Sequence, residues 1–217
     1  MSSRKTIIIG IIIAAVAIPL GIYTVSPLFV NTEINEPLPT VGNDNNNNDD
    51  DAAAMQQFKD FMEMSAEERI EKGQQMSNEE RDMIMKAAAQ TNGTTVNDNM
   101  ATIGEDISTT YAGTFVGVND GIHNAEGMAK VIRLDDASMI LRLENFKATN
   151  GPDLYVYLAT DKSASDFVDL GRLKGNIGNQ NYEISEGTDF SRYDTVLIWC
   201  KAFSVLFGSA ELEPQQQ

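Results

Sequence analysis

The chain has 217 residues, 42% of them hydrophobic, which is room for one domain plus extensions, since domains commonly run to roughly 100–200 residues. Its formal net charge is −16, and because Arg4 and Lys5 are the charged residues that precede Glu33, the remainder carries −18. Phosphate backbones are held by clustered Lys and Arg that displace counterions, so this balance argues against nucleic acid as a partner and disfavours an anionic lipid surface.

Residues 6–25 (TIIIGIIIAAVAIPLGIYTV) form a run of 20 without a charge. At about 1.5 Å per helical residue this matches a hydrocarbon layer of roughly 30 Å, so residues 1–25 are expected to be a transmembrane anchor. Arg4 and Lys5 precede the run and Glu33 and Glu36 follow it. The positive-inside rule then predicts a single-pass protein of the cell membrane, with its N-terminus in the cytoplasm and its bulk outside. Ala15-Val16-Ala17 resembles a signal-peptidase site, but the apolar run continues eight residues past it, which favours a retained anchor over a cleaved leader.

Residues 26–51 lose apolar periodicity and pass through Pro27, Pro37 and Pro39 into NDNNNNDDD, the composition of a disordered, hydrated stalk. Asp49, Asp50 and Asp51 lack the alternating ligands and following Gly of a calcium loop. Residues 52–90 read as short amphipathic helices. Ser65-Ala-Glu-Glu68 and Ser77-Asn-Glu-Glu80 each fit the capping box, in which serine and glutamate satisfy orphan backbone N–H groups. MSAEER at Met64 recurs as MSNEER twelve residues later, and Gly73 is placed to end the first helix of the repeat. Phe58, Phe61, Met62, Ile70, Met83 and Ile84 offer narrow stripes, so the helices are expected to pack on each other or on the next domain. Six methionines lie here: Met55, Met62, Met64, Met76, Met83 and Met85. Thioethers suit Cu(I), yet the segment holds neither His nor Cys and the methionines do not share one helical face. Packing is the favoured role and copper a weak candidate.

A Gly, Asn and Thr-rich linker, 91–110, leads into short apolar runs of period two. Strands are predicted at 113–118, 129–134, 138–146, 154–159, 168–173, 181–184, 196–202 and 205–212. About eight short strands separated by turn residues make the C-terminal region an all-β domain, an antiparallel sandwich or barrel.

Residues 111–212 resemble the DM13 domain family. The matching pieces are Gly113-Thr-Phe115, His123 with Gly127, and Leu143-Glu-Asn-Phe146. They continue through Asn150-Gly-Pro-Asp-Leu-Tyr-Val-Tyr-Leu158, Tyr193, and Val196-Leu-Ile-Trp-Cys-Lys-Ala-Phe203, and on to Phe207-Gly208. The resemblance implies an all-β module of cell-surface proteins with a proposed electron-transfer role. It also implies that Cys200 acts as a bare redox thiol or as a ligand to a prosthetic group such as haem. The electron donor or acceptor would be another extracytoplasmic protein.

Cys200 is the one cysteine and His123 the one histidine. No intrachain disulfide, blue-copper site or C-x-x-C-H haem attachment can be built from them. A site of Cys200, His123 and a Met stays open, beside the plainer reading in which His123 decorates the Asp120-Gly121 turn. No nucleophile triad or phosphate loop is present, so hydrolytic or transferase activity is not indicated. In an extended strand Val196, Ile198, Cys200 and Ala202 share one face and Leu197, Trp199, Lys201 and Phe203 the other. Lys201 points to a partly open outer face, leaving Cys200 inward. The alternative to a redox thiol is therefore a structural or adhesion module in which Cys200 is packing.

Overall fold

The computed structural model of the chain describes residues 48–98, 108–134 and 136–215. The expected anchor at 1–25 and most of the expected stalk lie outside the described residues. No helix among the described residues is long and apolar enough to cross a membrane.

Three helices come first: α1 (Asn48–Glu63), α2 (Ala66–Gln75) and α3 (Asn78–Ala89). α1 starts inside the stretch read as stalk. Both capping boxes form. Ser65 Oγ accepts from the Glu68 amide at 3.2 Å while Glu68 Oε2 accepts from the Ser65 amide at 2.8 Å, and Ser77 with Glu80 repeats these distances. Gly73 does not end its helix. It lies buried inside α2, because a Cβ there would stand 2.2 Å from the Ala202 carbonyl oxygen. The glycine serves a close approach of two backbones and not a chain stop.

The β region is a two-sheet sandwich, built from more strands than the apolar pattern predicts. They are β1 (Thr95–Asn97), β2 (Ser108–Thr114), β3 (Val116–Gly117), β4 (Ala125–Arg133), β5 (Met139–Ala148), β6 (Leu154–Ala159), β7 (Phe167–Arg172), β8 (Ile177–Ile184), β9 (Thr195–Cys200), β10 (Val205–Glu211) and β11 (Glu213–Pro214). One sheet has the order β1-β8-β5-β4-β2-β11 and the other β3-β10-β9-β6-β7. The chain changes sheets at Phe115, between β2 and β3, and again at Leu212, between β10 and β11. Pairing is antiparallel except for β1 on β8, which is parallel. β1 falls in the linker, where three residues carry no readable alternation.

The facing sheets bury Ala129, Val131, Leu141, Leu143, Phe146 and Tyr182 against Val156, Leu158, Val196, Ile198 and Phe207. The helices share this core. Phe61, Ile84 and Met85 belong to the same apolar cluster, with Phe58, Met64 and Met76 partly buried against it. A helical segment with such narrow stripes gains its stability from docking on the sandwich, since short helices are marginal alone.

Candidate functional site

β9 places Cys200 at its last position, where alternation turns the side chain into the core, and the residue is 0% exposed. Across the sheet its partners are Leu154 on β6 and Val205 on β10. Residue 200 ends the strand because the turn 201–204 follows, closed by Ser204 at φ 54°. That turn also moves Phe203 off the outer face, where strand alternation would put it, and into the core.

The sulfur has a polar setting. Backbone N–H groups of Phe203, Asp153 and Ala202 point at it and favour the thiolate. They do not prevail. Burial pushes the thiol up to about 12, with the Asp153 carboxylate adding to the rise. A thiol so placed is protonated at neutral pH and a poor nucleophile.

Asp153 is the second member of the site. It immediately precedes β6, its carbonyl accepts the Lys201 amide at 2.9 Å, and its carboxylate is 0% exposed. Oδ1 receives Arg69 Nη2 from α2 at 3.2 Å and lies 3.3 Å from Arg172 Nη2 of β7. Arg69 is buried and also donates to the Met64 carbonyl at 2.7 Å, whereas Arg172 is half exposed. Asp153 Oδ2 and Arg69 Nε are buried without a hydrogen-bond partner. Sequence reasoning placed Asp153 only near a strand end and passed over Arg69. The one signal for Arg69 was its place in the MSAEER repeat.

The family model described as electron transfer DM13 matches residues 115–212. Over these residues the chain matches a DM13 domain. Comparison with curated proteins and with solved structures finds no match. Both family blocks quoted above, NGPDLYVYL and VLIWCKAF, lie on the adjacent strands β6 and β9, so the DM13 domain brings Asp153 and Cys200 together through strand register. α1, α2 and α3 lie outside the matched residues, yet α2 supplies Arg69 to the site.

His123 stands apart from this cluster. It is buried, its Nδ1 bonds Asp120 Oδ2 at 2.6 Å, and its ring meets Phe207 edge-on with centroids 4.8 Å apart. It therefore does more than decorate a turn, for it pins the 119–123 loop to β10. Neither of these partners is Cys200 or a methionine.

The outer face of the second sheet is aromatic. Trp199 lies opposite Tyr155, Tyr157 stacks on Phe167 at 4.1 Å, and Lys201 Nζ sits 4.5 Å from the Tyr155 ring centre while bonding Asp169 at 3.1 Å. Lys201 thus marks the partly open face, as its charge requires.

A haem held through Cys200 does not fit these residues. The sulfur is enclosed by packed side chains and backbone, and four cavities of about 950, 480, 320 and 140 Å³ are lined by neither Cys200 nor His123. Copper finds no ready ligand set either. Among the described residues no three His, Cys, Asp or Glu side chains come together, and Met64 and Met76 pack against the apolar core.

Proposed function

We propose that this chain is a membrane-anchored protein of the cell surface whose DM13 domain takes part in electron transfer through Cys200. The observation that carries the reading is the match to the electron transfer DM13 family, together with the strand register that sets Cys200 of the second block against Leu154 of the first.

Because the thiol is held protonated, thiol–disulfide exchange from the closed state is disfavoured. Loss of an electron from Sγ, to a one-electron centre of a separate extracytoplasmic protein, has to be accompanied by loss of its proton, to water or to a base of that partner once Cys200 is exposed. The charge of −18 beyond the anchor favours a cationic face on that partner through electrostatic steering. The anchor rests on the length and flanking charge of residues 6–25. A mature chain that starts at Ile18, read by mass spectrometry, would replace it with a cleaved leader.

A second reading, a non-catalytic adhesion or envelope module, is favoured by the complete burial of Cys200. Redox titration of the full chain purified from its own host, with an absorption spectrum of the same preparation, separates the two. A reversible couple that disappears in Cys200→Ser supports electron transfer. Absence of any couple and of any cofactor band leaves the structural module.

A further inference from the structure

Three backbone amides point at the Cys200 sulfur, and the helical segment holds each of the three residues that supply them. Asp153 is gripped by Arg69 of α2 at 3.2 Å. Ala202 meets the backbone of α2 at Gly73, where no side chain would fit. Phe203 carries the Phe61 ring of α1, with centroids 5.1 Å apart. The residues whose amides face the sulfur are therefore braced from outside the DM13 match.

α2 is docked differently from its neighbours. α1 and α3 bury Phe61, Ile84 and Met85, whereas the buried residues of α2 are Arg69 and Gly73. Its seat on the sandwich includes one ion pair and one bare stretch of backbone, and no apolar side chain of α2 is fully buried. That contact is also incompletely satisfied, since Arg69 Nε and Asp153 Oδ2 lack partners that water would supply once the helix lifted. Lifting would not strand a bare carboxylate, because the half-exposed Arg172 holds the same Asp153 oxygen from the β-domain side. The joints flanking α2 carry Met64 and Met76, unbranched side chains that adapt to altered packing.

We infer that α2 is a displaceable cover: it opens separately from the sandwich, and its opening is what admits solvent or a partner to Cys200. The purpose of this device rests on Cys200 being the working atom proposed above. Its existence does not.

The test is native-state alkylation of the full chain with iodoacetamide, read by intact mass. Cys200 is the single thiol, and Trp199, the single tryptophan, reports unfolding of the sandwich. Labelling is expected to depend on urea with less than about half the slope of the Trp199 transition, because a one-helix opening exposes far less surface than global unfolding. Arg69→Met, which removes the grip and leaves Arg172 on Asp153, is expected to raise the labelling rate without urea about ten-fold beyond any change in global stability. Labelling that follows the Trp199 transition in slope and free energy overturns the inference, as does an Arg69→Met rate that changes only in step with global stability. If Arg69→Met does not fold, the wild-type slope decides by itself. Alkylation needs no redox partner, so a failed redox titration leaves this result standing, and the reverse holds too.

Discussion

Arg69 and Asp153 are 84 positions apart, and their side chains meet at 3.2 Å with both almost wholly buried. The pair joins the helical segment to the residue whose amide faces Cys200 and whose carboxylate charge raises that thiol further. Removing one member of a buried pair leaves the other charge without compensation, which commonly costs about 3–5 kcal/mol. The two ends are unequal here. Asp153→Asn strands Arg69 in the interior and is expected to lower stability by about 3 kcal/mol, read from urea unfolding by Trp199 fluorescence. Arg69→Met should cost less, since Arg172 still serves Asp153. A larger loss for Arg69→Met than for Asp153→Asn would contradict this account of the pair.

Gly73→Ala sets two effects against each other. Alanine favours a helix interior by about 1 kcal/mol over glycine. Its Cβ would lie 2.2 Å from the Ala202 carbonyl oxygen and 2.9 Å from Phe203 Cδ1, and overpacking against fixed backbone commonly costs about 1–3 kcal/mol. The clash should win, because the closest atom is main chain and cannot rotate away. Net destabilisation is expected, together with faster Cys200 alkylation; a stabilised variant would mean that α2 is not seated as described.

Alkaline pH should weaken the fold through Cys200. The folded thiol is pushed up to about 12 by burial, while the unfolded thiol ionises near its ordinary value of about 8.5. The stabilisation is thus fully present below about pH 8.5 and is lost as pH rises toward 12. Cys200→Ala should lose less stability over this window than the wild type. Equal slopes for the two proteins would show that the thiol does not titrate as its surroundings require.

On the acid side the Asp120–His123 contact makes the opposite prediction. Burial works against the Asp120 carboxylate, but the His123 ring and the His123 and Ile122 amides outweigh it and bring Asp120 down to about 2. Its contribution is present above the unfolded value of about 3.9 and is lost as pH falls toward 2. Asp120 is 43% exposed at its side chain, so the effect is expected to be small. Asp120→Asn should flatten the stability profile over this range in chemical denaturation. An unchanged acid limb would remove Asp120 from the account.

Much of the fold was legible along the chain. The two capping boxes form at the serines and glutamates that predict them, and the strand interiors fall where period-two runs do except at 113–118, which spans the change of sheet at Phe115, because both signals are local and the sheet change is not. Gly73 misled because a glycine near a helix end and a glycine at a backbone contact look alike in one dimension. β1 was invisible, since a parallel partner on β8 supplies its hydrogen bonds and its own composition carries no pattern.

For Cys200, strand alternation with Lys201 on the opposite face determined that the side chain points inward, and the lone cysteine and lone histidine excluded an intrachain disulfide, a single-chain blue-copper site and a C-x-x-C-H haem attachment. Tertiary structure decided the rest. It closed the strand at residue 200, turned Phe203 into the core, set the amides of Asp153, Ala202 and Phe203 around the sulfur and brought Arg69 over Asp153. These are contacts between segments far apart in sequence, set by register and by the docking of one element on another, and no local pattern of residues encodes them.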